Sequence, residues 1–161
     1  MALIENEVQD LVIPELDRKK FRINGDNNRI LELNTSDVNI VSRLNKGYTE
    51  LLSLAEAVKE LDLEEEGTTE EQMEKMSEQL SEINKKMREQ LDYIFDTNVS
   101  EVCAGNASMY DPLNGKFRWE HIIESIGNLY GEAFKREFAS MTKRVQKHTG
   151  KYTKSTKKRK G

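Results

Sequence analysis

Between Ser36 and Phe95 the apolar residues keep a seven-residue rhythm through two successive segments separated by one acidic turn. In the first, Val41, Leu44, Tyr48, Leu51, Ala55 and Val58 alternate steps of three and four, which lines them along one face of an α-helix. In the second, Met73, Met76, Leu80, Ile83, Met87 and Ile94 keep the same spacing, with Gln90 at one apolar place and Leu91 beside it. The intervening stretch from Asp62 to Thr69 joins Gly67, suited to a helix C-terminus, to threonines suited to cap the next helix. The rhythm predicts an antiparallel helical hairpin over about residues 36–96.

A seam this narrow, with Glu, Lys, Gln and Ser on the other faces, buries little area by itself, so the hairpin needs either the rest of the chain or a partner. Two readings follow: scaffolding for the core of an α-rich domain, or an exposed partner-binding seam. Met73, Met76 and Met87 suit adaptable packing, because an unbranched thioether fills irregular surfaces. Charged residues are 34% of the chain and hydrophobic residues 36%, which implies a thin core and elongated helices.

The flanks complete a mainly α domain over residues 1–150. Pro14 after Leu11-Val12-Ile13 argues against a long helix near the start and favours a short extended piece or edge strand. Two alternating runs, Lys20 to Ile23 and Arg29 to Leu33, surround a turn-rich centre from Asn24 to Asn28 and predict a small β-hairpin over about 20–33. Asn34, Thr35, Ser36 and Asp37 offer capping groups for the first long helix, with Ser36 as the expected cap. Asn98 and Glu101 have capping-box spacing for a short helix over 99–104, which Gly105 stops. Turn signals at Asp111-Pro112 and Asn114-Gly115 fill the loop that follows. A final amphipathic helix is expected over about 117–148, its face running from Trp119 through Ile122, Ile126, Leu129, Phe134 and Met141 to Val145. Gly47 marks either close packing or a bend, and Gly127 and Gly131 fall one turn apart. Residues 151–161 are Lys-, Thr- and Ser-rich, with no apolar anchor after Tyr152, and are expected to be a disordered basic tail.

The chemistry expected of this chain is binding. No phosphate loop, nucleophile elbow or paired catalytic acid stands out, so the reading is a non-enzyme without cofactor or metal. His121 has only Glu120 and Glu124 near it, short of the three or four ligands zinc requires. Cys103, the only cysteine, shares the inner face of the short helix with Val99 and Val102 and reads as a small buried apolar group. Residues 142–161 hold nine Lys and Arg and no acid, leaving 16 basic against 29 acidic side chains for the body. Lys151, Lys154, Lys157, Lys158, Arg159 and Lys160 could neutralise phosphates, solubilise the chain or meet an acidic protein surface. The N-terminus has acids where a signal peptide needs bases, and no apolar run approaches a membrane span, so a cytoplasmic protein is expected.

Two stretches resemble the tail assembly chaperones of long-tailed phages and prophages of Gram-positive bacteria. One runs from Phe21-Arg22-Ile23-Asn24-Gly25 through Leu31 to Leu44, a short hairpin feeding into a capped helix; the other runs from Tyr93-Ile94-Phe95-Asp96 through Val99 to Gly105, before a final amphipathic helix and a Lys-rich end. Together they cover about half of the chain, and the likeness is one of layout; the long acidic hairpin from Leu61 past Glu71 departs from it. The resemblance implies a helper in the host cytoplasm, absent from the virion, that coats the tape measure protein and hands it to tail tube protein. It also implies a longer form made by frameshifting near the C-terminus, and no catalytic residue. Met73, Met76, Leu129 and Phe134 are the candidate partner-binding residues. The alternatives are a helical scaffold that self-associates through its seam, or a phage nucleic-acid accessory factor acting through the basic tail.

Overall fold

The seam closes as its spacing requires, but only along half its length. In the computed structural model the described residues are 7–14, 18–61 and 69–143. Helix α1 (Ile40–Glu60) packs against α2 (Glu70–Phe95), and Leu44, Tyr48, Leu51, Leu54 and Ala55 of the first meet Met87, Leu91, Ile94 and Phe95 of the second in one core. Gly47 lies at the crossing: a Cβ there would sit 2.4 Å from Ile94 Cγ1 and 2.7 Å from Cδ1. Its role is close packing, and helix α1 runs through it.

Ahead of the helices, β1 (Lys19–Ile23) pairs antiparallel with β2 (Asp26–Leu33), so the fold is mainly α with a small N-terminal β-hairpin. The turn is tighter than the sequence suggests. Only Asn24 and Gly25 form it, both at positive φ, the two-residue geometry that matches strand twist. Leu31 and Leu33 point from β2 into the core while Glu32 between them faces out. Residues 7–14 carry no regular secondary structure, and the first strand among the described residues begins at Lys19.

Capping differs from the expectation at two helices. Helix α1 begins at Ile40, and Ser36 caps nothing; residues 34–39 form side-chain turns in which Asn34 Oδ1 accepts the Ser36 N–H and Asp37 Oδ1 accepts the Asn39 N–H. These local bonds compete with helix extension and delay it. At α3 (Val99–Ala104), Asn98 makes no side-chain cap; Asp92, one turn from the end of α2, accepts the Ser100 N–H at 2.8 Å and the Ser100 hydroxyl at 3.1 Å. Helix α2 starts with a complete capping box, Thr69 Oγ1 accepting the Gln72 N–H and Gln72 Oε1 accepting the Thr69 N–H. The acidic turn holding Gly67 lies outside the described residues.

The final helix is two helices. A two-residue pair, β3 (Pro112–Leu113) with β4 (Lys116–Phe117), turns at Asn114-Gly115 and leads into α4 (Arg118–Gly127); after residues 128–131 a fifth helix, α5, covers residues 132–143. The break has a packing reason. Gly127 presents a bare backbone to Phe134, whose Cε1 would lie 2.2 Å from any added Cβ, and the chain must turn to bring that ring back. Leu129 N–H to Ile126 O and Tyr130 N–H to Gly127 O tighten the last turn before α5 departs. Gly131 meets nothing within 4 Å, so the close approach belongs to Gly127 alone of the pair. Phe134 then stacks on Tyr130 at 5.4 Å and reaches Phe95 at 6.1 Å, while Tyr48 meets Trp119 and Phe138 edge-on.

Arginines reach the carbonyls at the ends of α2 and α3. Arg43 Nε donates to Ile94 O at 3.1 Å, Arg29 to the carbonyls of Val102 and Cys103, and Arg88 to those of Gly105 and Ala107. Arg43 and Arg29 satisfy carbonyls that the C-termini of α2 and α3 leave without a partner, and Arg88 ties α2 to the cap and loop that follow α3.

Candidate partner-binding surfaces

The apolar seam outlasts the core. Every residue of α2 from Glu70 to Lys86, roughly 25 Å of helix at 1.5 Å per residue, falls short of full burial, although Met73, Met76, Leu80 and Ile83 keep the rhythm. Opposite them, Val58 and Leu61 are half-buried at the end of α1. Between the two helices a cleft of about 470 Å³ opens, lined by Ala57, Glu60 and Leu61 on one side and Gln79, Glu82 and Ile83 on the other. Its floor is apolar and its rim acidic. The Glu56–Lys59 pair beside it is exposed and contributes little to stability.

The four candidate binding residues do not form one patch. Met73, 45% exposed, and half-buried Met76 lie on this open end of the hairpin. Leu129, 41% exposed, lines a different cleft, about 380 Å³, between β1 and α4. Phe134 is 2% exposed and fully engaged in the aromatic cluster, so it belongs to the core and is not available to a partner on this structure. The ring is taken inward by the break at Gly127, which periodicity through residues 117–148 did not reveal. The basic tail, Lys151 to Lys160, lies outside the described residues.

The potentially reactive side chains have structural partners. Cys103 is half-buried, and burial pushes its thiol up to about 11, leaving almost no thiolate near neutrality. His121 Nε2 lies 2.5 Å from Leu113 O, holding α4 to the β3–β4 turn, and Lys116 pairs with Glu124 at 2.8 Å alongside. Burial pushes the Asp92 carboxyl up against the lowering effect of Ser100, consistent with a buried cap. Among the described residues no group of three or more His, Cys, Asp or Glu is placed to hold a metal ion, and no helix is long and apolar enough to cross a membrane.

Sequence reasoning missed the cleft beside β1, because its two walls, β1 and α4, are distant in the chain. It read the exposed run at residues 8–13 only as a local strand signal.

Comparison of the chain with protein-family models, curated proteins and solved structures gives no match.

Proposed function

We propose that this protein is a non-enzymatic phage tail assembly chaperone that binds the tape measure protein and promotes tail tube assembly. The observation that carries the reading is the outer end of the α1–α2 hairpin, where Met73, Met76 and Leu80 continue the apolar seam past Val58 and Ile83, the last of its residues packed against the core. A groove between two helices, apolar in its floor and acidic at its rim, suits an amphipathic helix with basic flanks, laid in through anchors spaced three and four apart. A long coil-rich protein offers many such segments. Masking them with copies of an acidic chain would keep that protein dispersed, since like charges on the bound copies repel.

The layout resemblance of the hairpin-to-helix and α2-to-α3 stretches supports the same reading. Met73 and Met76 fit it, as flexible anchors that adapt to successive helices of differing sequence. Tail tube protein would meet the complex later, and the host cytoplasm is where both would act.

The test is co-expression with the long coil-rich protein encoded in the same gene cluster. The partner becomes soluble and co-purifies with several copies of this chain, in a complex that survives moderate salt because its contacts are apolar. If the partner stays insoluble while this chain retains nucleic acid that dissociates steeply with added salt, the accessory-factor reading through Lys151, Lys154, Lys157, Lys158, Arg159 and Lys160 replaces this one.

A further inference from the structure

The segment before β1 combines two properties that rarely coexist in a folded monomer. All of residues 7–14 are exposed, yet the segment carries Val8, Leu11, Val12 and Ile13 at 96%, 81%, 90% and 66% exposure. Scattered apolar residues on a surface need no explanation, but four exposed within six positions, three of them consecutive, are a local concentration that does need one. The segment is also acidic, with Glu7 and Asp10 and no basic residue between positions 7 and 14.

The same molecule has an open site of matching character. The cleft between β1 and α4 is floored by Phe21, Ile23, Leu31, Ile122 and Ile126, and its polar lining includes Arg22, Arg118 and His121. One wall is Phe21, Arg22 and Ile23 of β1, an edge strand of a sheet that has two strands among the described residues, with Asn24 of its turn. An edge strand beside an apolar trough accepts an added extended segment, with side chains two apart entering the trough. Leu11 and Ile13 have that spacing.

We propose that the N-terminal arm, Glu7 to Pro14, of one copy docks in the β1–α4 cleft of a second copy of this chain. Leu11 and Ile13 enter the trough, and Glu7 and Asp10 face Arg22, since Arg118 pairs with Asp111 and His121 Nε2 meets Leu113 O. Charge favours this occupant: Arg22 carries no ion pair among the described residues, whereas Arg118 is already paired with Asp111 at 3.3 Å, and the arm is an exposed apolar segment whose acids suit that one cation. The arm of the same chain leaves its own cleft open, and Arg18, tied to Asp96 O at 3.3 Å, fixes where the chain enters the fold. Pro14 lacks the N–H that a ladder closing immediately before β1 would use. This contact is separate from the open end of the hairpin, so it stands or falls independently of the chaperone reading.

Two measurements test it on the full chain. In sedimentation velocity over a concentration series, the wild type associates, and Leu11→Asp/Ile13→Asp weakens that association by at least about tenfold while its circular dichroism is unchanged. In the second, Leu11→Cys chains and Ser125→Cys chains, each also carrying Cys103→Ala, are mixed and oxidised. Ser125 lines the cleft, and the mixture should yield the heterodimer in excess of both homodimers. A wild type that stays monomeric across the series overturns the proposal, as does a Leu11→Asp/Ile13→Asp chain that associates as tightly as wild type. So does an oxidised mixture in which the heterodimer does not exceed the homodimers.

Discussion

Replacing Gly47 with Ala separates the intrinsic helix preference of this position from its packing. In an exposed helix the change gains roughly 1 kcal/mol. Here the new methyl would stand 2.4 Å from Ile94 Cγ1 and 2.7 Å from Cδ1, against an ordinary approach of about 3.5–4 Å. Ile94 is fully buried, and Cγ1 is attached directly to its Cβ, so rotating the side-chain tip cannot clear the overlap. Either the helices separate by about 1 Å or Ile94 leaves its rotamer, and overpacking of this kind costs about 1–3 kcal/mol, exceeding the helix gain in most of that range. Gly47→Ala should therefore destabilise the wild type by roughly 1 kcal/mol net, a fall of about 2–4 °C in Tm for a chain of this size. Ile94→Ala alone should cost about 2–5 kcal/mol through the cavity it leaves. In that background the methyl fills space, so Gly47→Ala should become stabilising, by roughly 1 kcal/mol or more. Urea unfolding followed by circular dichroism on the four proteins gives the cycle. A Gly47→Ala protein that is more stable than wild type would refute the packing account and leave Gly47 an ordinary unfavourable helix residue.

Three further outcomes follow from single sites. Burial pushes the Asp37 carboxyl up, but Arg43 and the Asn39 N–H outweigh it and hold the group below its ordinary value. Its stabilisation is thus present above the unfolded pKa of about 4 and lost as pH falls through the lower folded value; Asp37→Asn should reduce Tm at neutral pH and flatten its fall in acid, read by thermal melts from pH 7 downward. Cys103, with its thiol near 11, should react with a disulfide reagent at pH 8 roughly two orders of magnitude more slowly than an exposed cysteine, and equally fast once urea unfolds the chain. Phe134→Ala should cost about 3–5 kcal/mol by denaturation, whereas Met73→Ala should stay within about 0.5 kcal/mol, since one ring is enclosed by aromatic neighbours and the other side chain is half in water.

The legible part of the fold was what local pattern determines. The α1–α2 seam, the six residues of α3 and the Asn24-Gly25 turn follow from spacing and turn chemistry, and each appears at or within a few residues of its expected place. What was not legible depends on contacts between distant residues. The face of residues 117–148 is periodic throughout, so nothing local announces that Phe134 folds back over Gly127 and divides the helix. Likewise Asp92 was an unremarkable acid on α2 until Ser100 was brought beside it, and the arginines that close helix ends act across up to 74 positions of sequence. For the candidate surfaces the pattern was half sufficient: it placed Met73 and Met76 on the seam, but where burial stops along that seam depends on what packs against it.

Hydrogen exchange of the chain, free and in complex with the coil-rich protein proposed as its partner, tests the central claim most directly. Backbone amides in the open end of the hairpin exchange readily when free, because few buried contacts hold that stretch together. The account predicts strong added protection in peptides covering residues 57–61 and 70–86, with little change in the closed half around Leu44 and Leu91. Protection confined to peptides outside the hairpin, or no change in residues 70–86 in a complex that demonstrably forms, would contradict it.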